Sequence, residues 1–384
     1  MNSNTATSTH WTDAAATAQP RLLLRLQQLV EIESPSHDKA AVDRAGAQLA
    51  AWAEAEGATV RRHKQKHFGD VLELRFGHAR SRRGRVLLLG HLDTVWPLGT
   101  LAGMPWREAD GKLFGPGVLD MKCGIVMALE AITIALGSAD KGRPVTLLLG
   151  SEEEIGSPVS RPIIEKVAQA CSAVLVLEPA QGLAYKTARK GVGQYDLHVR
   201  GVASHAGVDF ESGHSAVLEM ARLLQTVGDF TDLSRGLTVN PGVVRGGTQS
   251  NVVAAECFAS IDVRIARASD AARVERLFRA LKVTDKACTL TVTGGLNRPP
   301  MERKPGTVRL FKQARDLAAG MGFMLQEAST GGGSDGNFTA ALGVPTLDGM
   351  GAVGAGAHAA HEHIVAAHLV ERTALLAAMI ASVD

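Results

Sequence analysis

The chain has 384 residues, with 41 Lys+Arg against 39 Asp+Glu, a formal net charge of +2, and 45% apolar residues. This is globular composition, with length for two or three folded units of about 150 residues each. The balanced charge and the aromatic content of 4% exclude a broad basic field and base-stacking platforms, so neither nucleic acid nor an anionic membrane is an expected partner.

The first 20 residues hold no Lys or Arg and no apolar run, so no secretory signal is read there. Residues 1–19, polar and rich in Ala and Thr, read as a loose tail. Helical periodicity follows over Arg21–Val30 and Lys39–Glu56. Strand-like runs come next at Asp70–Phe76 and Arg85–Gly90, then a buried helix around Ile125–Leu136, then strands at Val145–Ser151 and Ala173–Leu177. The apolar helix is interrupted by Glu130 and is too short to span a bilayer. Apolar strands separated by helices predict an α/β unit with a mixed, mainly parallel sheet flanked by helices.

Near Lys190 the pattern changes. Strands at Gln194–Val199, Leu237–Val244, Cys257–Ile265 and Cys288–Val292 interleave with helices at Ser215–Val227 and Asp270–Leu281. The order β-α-β-β-α-β is that of a ferredoxin-like α+β unit. After Pro299-Pro300 the α/β character resumes, with helices at Val308–Ala319 and Ala366–Ser382. The predicted organisation is a larger α/β domain in two parts, 20–189 and 300–384, with a smaller domain inserted at 190–299.

One count directs the search for chemistry: 13 histidines, against 10 Phe, 4 Trp and 2 Tyr. Histidine is the commonest metal ligand and a frequent acid–base group. The four cysteines, Cys123, Cys171, Cys257 and Cys288, contain no CxxC pair, so no thiolate metal site is written, and their sparseness fits a reducing cytoplasm.

Five polar clusters follow strands or turns, where α/β sheets gather their sites. His91 and Asp93 follow the VLLLG run and, two apart on extended backbone, point to the same side. Asp120 precedes the apolar helix and, alone, is better read as its N-cap. Glu152, Glu153 and Glu154 emerge from the Val145–Gly150 strand, where like charges so close require solvent or a cation. Glu178-Pro179 follows another apolar strand, and a Gly/Ala-rich loop carries His358, His361 and His363. His361-Glu362 begins like HExxH, but Val365 breaks that motif. Together the clusters offer His and carboxylate ligands without Cys, a set suited to Zn²⁺, Mn²⁺ or Co²⁺.

The stretches GHLDTVWP, GPGVLDMKCG, EEIGS, LEP, SHAG and GGGSDGN, in this order, resemble the aminoacylase / glutamate carboxypeptidase family of two-metal amidohydrolases. The resemblance runs from about Leu22 to the C-terminus. It implies a catalytic α/β domain with an inserted lid and dimerisation domain. It implies two divalent metal ions, foremost zinc with Mn or Co as alternatives, held by His91, Asp120, Glu154, Glu178 and His358. Asp120 would bridge the metals and precede a cis peptide to Met121. Asp93 would support His91, Glu153 would act as general base, and Glu152, His361 and His363 would stand outside the chemistry. In the lid, His205 would polarise the scissile carbonyl, reaching a partner subunit's site in a homodimer. Asn251, Arg264 and Arg298 would contact substrate, Arg264 as a bidentate clamp on a free carboxylate. Cys123 departs from the family's usual Gly.

The implied activity is hydrolysis of an amide in a small-molecule substrate with a free carboxylate, releasing an amino acid, in the cytoplasm. Two alternatives stand beside it. Gly332-Gly333-Ser334-Asp335-Gly336 satisfies G-x-S-x-G, with Asp348 and His358 following in serine-hydrolase order. The other alternative is a non-catalytic homologue that keeps the fold as a binding protein.

Overall fold

The computed structural model describes residues 3–78, 83–138 and 143–383. The chain divides into two compact units. The first comprises Met1–Ala188, Arg303–Ser329 and Ser334–Asp384, and the second comprises Arg189–Glu302 and Thr330–Gly333.

The first unit is built on a six-stranded sheet in the spatial order Thr59–His63, Val71–Phe76, Val145–Gly150, Val86–His91, Ala173–Val176, Thr346–Leu347. The first two pairings are antiparallel and the remaining three are parallel. Side-chain alternation divides the apolar strands between two cores. Leu88, Leu147, Leu149 and Leu175 join the cluster that holds the helices Cys123–Ser138 and Leu369–Ser382. Leu87, Leu89, Leu148, Val174 and Val176 join a second cluster with Ile164 and Ala168 of the helix Arg161–Ala168. Helices therefore cover both faces, and the three parallel-paired strands Val145–Gly150, Val86–His91 and Ala173–Val176 are almost wholly apolar, as the sequence predicts for a mainly parallel sheet.

The expectation of a loose tail over 1–19 is corrected. A helix spans Ser3–Val30, and Trp11, Ala15, Ala18, Leu22, Leu26 and Leu29 are buried along it. Their spacing of three or four places them on one face. Small alanines supply part of that face, so the apolar periodicity is weak in the sequence. Arg21 and Arg25 of this helix reach Glu130 at 3.0 and 2.9 Å. The acid that interrupts the apolar helix is thus fully buried and paired.

The second unit is a four-stranded antiparallel sheet ordered Thr238–Gly246, Glu256–Ile265, Gly191–Arg200, Thr289–Arg298. Tyr195, Leu197, Val199, Ile261 and Val263 project from it against Met220, Leu223 and Val227 of the helix Ala216–Gly228 and Val274 and Phe278 of the helix Ala271–Arg279. Tyr195 and Phe278 stack with ring centroids 3.8 Å apart. This is the ferredoxin-like arrangement.

Candidate metal centre

In the first unit, Val86–His91 lies between Val145–Gly150 and Ala173–Val176, parallel to both. The chain steps to opposite sides of this central strand, so the crevice at its carboxyl end is a switch point of the kind where α/β sheets hold ligands. His91 ends the central strand, Glu153 and Glu154 lie in a short helical turn after one neighbour, and Glu178 follows the other. Asp120 sits in the turn Val118–Lys122 before the apolar helix, and the Asp120–Met121 peptide is cis. His358, at φ 62°, lies between the short strands Gly354–Ala355 and His363–Val365.

These side chains converge. His91 Nε2 lies 3.3 Å from Asp120 Oδ1 and 3.7 Å from Glu178 Oε1. His358 Nε2 lies 3.4 Å from Asp120 Oδ2 and 3.2 Å from Glu154 Oε2. The Asp120 carboxylate therefore stands between two imidazoles. Ligand atoms of His91, Glu153 and Glu178, and of His91, Asp120 and Glu154, lie within 4.8 Å of one another in each set.

His91 Nδ1 is 2.9 Å from the Asp93 carbonyl oxygen, which accepts its proton and turns Nε2 toward the cluster. The Asp93 side chain, fully buried, does something the sequence did not suggest. Its Oδ1 accepts from Glu153 N at 3.0 Å and its Oδ2 accepts from Glu154 N at 3.2 Å and Ser36 Oγ at 2.7 Å. Asp93 thus fixes both the histidine and the turn that presents the glutamates.

The cluster fits divalent cations. His91 Nε2, Asp120 Oδ1 and Glu154 Oε1 are buried without a hydrogen-bond partner. Each such atom costs about 1–3 kcal/mol unless something satisfies it. The electrostatics agree. Burial opposes charge on His91, but Asp120 and Asp93 hold its imidazole well above the usual range. Burial also opposes charge on Asp120, yet His358 and His91 hold it well below the usual carboxylate range. Asp120 and Glu154 push His358 up to about 10, while burial raises Glu154. Carboxylates converging this closely require positive charge among them.

Glu152 turns away from the cluster and accepts from Val159 N at 2.9 Å, Ser160 N at 2.6 Å and Ser160 Oγ at 2.7 Å, bracing the loop behind it. His363 Nδ1 contacts the His361 carbonyl at 2.8 Å. Cys123 is buried at the start of its helix, with its thiol pKa raised by that burial. In the second unit, Ala206 N donates to Asn251 O at 2.9 Å, which brings the exposed His205 and Asn251 onto adjoining loops. Arg264 pairs with Asp262 through Nη2 at 2.8 Å, and Arg298 is buried at the end of its strand.

The serine-hydrolase alternative is overturned. Ser334 is fully buried, donates to Asp348 Oδ2 at 2.6 Å and accepts from Gly336 N at 3.1 Å. The histidine required for such a triad, His358, lies on Asp120 and Glu154 instead.

Sequence reasoning missed one residue. Glu362, which enters the sequence analysis only through a failed HExxH motif, is fully buried and accepts four hydrogen bonds beside Asp120. Its only sequence signal is an acid in a Gly/Ala-rich loop four residues after His358.

Comparison with known proteins agrees with this geometry. The profile of peptidase family M20/M25/M40 matches residues 87–382, which include His91 through His358. Carboxypeptidase G2 of Pseudomonas sp. (strain RS-16) is 30% identical over 377 residues, 95% of this chain and 89% of that protein. Acetylornithine deacetylase of Myxococcus xanthus is 27% identical over 281 residues, 68% of this chain and 72% of that one. The solved structure of aminopeptidase PepT from Bacillus cereus matches with a TM-score of 0.78 at 22% identity, covering 95% of this chain and 98% of that one, a likeness of fold. The non-catalytic alternative loses its support on these matches. The chain belongs to peptidase family M20/M25/M40 and is a hydrolytic enzyme acting on amide bonds.

Proposed function

We propose that the protein is a metal-dependent hydrolase that releases a free amino acid from an amide, as a carboxypeptidase or an N-acyl amino acid amidohydrolase. In this reading two divalent cations, foremost zinc with manganese or cobalt as alternatives, are held by His91, Asp120, Glu154, Glu178 and His358. The observation that carries it is the Asp120 carboxylate, with one oxygen 3.3 Å from His91 Nε2 and the other 3.4 Å from His358 Nε2. Bound cations supply Lewis acidity toward an amide carbonyl and lower the pKa of a water. Glu153, on the His91–Glu178 side of the cluster, acts as general base and returns the proton to the leaving amine. Asp93 keeps the glutamate turn in place. His205 polarises the scissile carbonyl, and Asn251, Arg264 and Arg298 receive the substrate. In the free protein the Arg264 guanidinium forks onto Asp262 through Nε at 2.9 Å and Nη2 at 2.8 Å, so gripping a substrate carboxylate the same way requires exchange of that partner.

The relation to a carboxypeptidase, with the resemblance to the glutamate carboxypeptidase family, favours a substrate with glutamate on the leaving side. The relation to an acetylornithine deacetylase favours a second reading, an N-acyl amino acid. A homodimer formed through the second unit belongs to the same proposal, as does a cytoplasmic location, on the four free cysteines. Glu153→Ala is expected to abolish turnover while metal content stays near wild type. Loss of metal along with activity contradicts its role as base. A panel of peptides with C-terminal glutamate and of N-acyl amino acids separates the two substrate readings. Light scattering tests the dimer, which a fully active monomer contradicts.

A further inference from the structure

Glu362 is not among the residues assigned to the metals, yet it occupies a place on which two of those residues depend. Its carboxylate is fully buried. Oε1 accepts from Leu119 N at 2.9 Å and Asp120 N at 3.1 Å, and Oε2 accepts from Gly117 N at 2.9 Å and Trp96 Nε1 at 2.8 Å. Both oxygens are thus filled by donors, three of them backbone amides of the turn that carries Asp120. A carboxylate is the side chain that can accept at four positions and donate at none. The residue also belongs to the other ligand's loop. Its own N–H bonds Ala359 O at 2.8 Å, and Ala359 N bonds Gly356 O at 2.9 Å, closing the turn around His358.

From this geometry we infer that Glu362 is a positioning residue that assembles the metal site before metal arrives. It clamps the Asp120 turn to the His358 turn, so that the bridging carboxylate and the outer histidine are held as one piece. The inference rests on the two-metal reading above, and its consequence is for metal affinity rather than for the chemical step. Removing an outer partner of a metal ligand lowers affinity about 10- to 100-fold. Glu362→Gln is nearly isosteric but sets an amide NH₂ against N–H donors on one side, so it should fall in that range.

The test is Co²⁺ binding by equilibrium dialysis and by the visible absorption of the bound ion, on metal-free wild type, Glu362→Gln and Trp96→Phe. The expected result is an affinity at least tenfold weaker in Glu362→Gln with an altered absorption band, and Trp96→Phe within about threefold of wild type, because it removes only the donor outside the Asp120 turn. Equal affinity and an equal band in wild type and Glu362→Gln overturn the inference. Wild type that takes up no Co²⁺ refutes the metal reading beneath it, which keeps the two failures distinct. A measurement on wild type alone covers the case in which Glu362→Gln does not fold. Hydrogen exchange of the amides of Gly117, Leu119 and Asp120 should be as slow without metal as with it. Fast exchange that slows only on metal addition shows that the metal builds the turn, and overturns the inference.

Discussion

Asp93→Asn isolates what the buried carboxylate beside His91 does. The substitution leaves the Asp93 carbonyl in place, so the 2.9 Å contact that orients His91 survives, while His91 Nδ1 also loses the negative charge of the carboxylate oxygen 3.3 Å away. The side chain loses one acceptor oxygen. Of its partners Glu153 N, Glu154 N and Ser36 Oγ, the hydroxyl can rotate to accept from an amide, but the two backbone donors sit on different oxygens. Whichever way the amide turns, one glutamate N–H faces an NH₂ group. A hydrogen bond to a charged group contributes about 1.5–3 kcal/mol, and the loss falls on the turn that carries both Glu153 and Glu154. Part of that energy reappears as weaker metal binding, by about 10- to 100-fold, equivalent to roughly 1.4–2.8 kcal/mol. Zinc affinity by equilibrium dialysis, and kcat/KM at saturating metal, give the two numbers. Thermal unfolding of the metal-free variant controls for the fold. Wild-type affinity and wild-type turnover in a folded Asp93→Asn protein refute the assignment of the Glu153–Glu154 turn to Asp93.

Ser334→Ala is expected to lower stability by about 1–3 kcal/mol, because the Gly336 N–H loses its acceptor, and to keep chelator-sensitive activity. Complete loss of turnover in a folded variant would reopen the nucleophile reading. Glu219 contributes acid-sensitive stability in the second unit. Burial raises its pKa, but the amides of Thr284 and Asp285 and the Arg222 guanidinium outweigh that and hold it below the usual carboxylate range. A depressed carboxylate pKa contributes stability above its unfolded value, about 4.3, and that contribution disappears as pH falls through the folded value. Glu219→Gln should therefore flatten the acid limb of a stability-versus-pH curve, and an unchanged limb contradicts the assignment.

What could be read in the sequence was what long-range packing makes periodic or places at an element's end. The apolar runs before His91, Glu152 and Glu178 announce buried parallel strands, and residues just beyond such runs fall into one crevice. The inserted unit was legible from alternation along Gln194–Val199 and the amphipathic helices beside its strands. The N-terminal helix was not, because Ala15 and Ala18 bury little apolar area and lend no strong period. The edge strand Thr59–His63, with its run Arg61-Arg62-His63, lacks an apolar face. Tertiary pairing with Val71–Phe76 makes it a strand. Asp120 reads alone as a helix cap, and only its position between two distant histidines gives it another role. Glu362 was illegible for the same reason: its donors are 242–266 residues away in the chain, and nothing local distinguishes it from a solvated acid.

The central claim is a hydrolase site that works through two cations among His91, Asp120, Glu154, Glu178 and His358. Its most direct test is a titration of metal-free protein with Zn²⁺, following bound metal and peptidase activity on a glutamate-terminated peptide in the same samples. The expected result is no turnover without metal and full turnover as two equivalents bind. Full activity in metal-free protein, or saturation of activity with no metal bound, would contradict it.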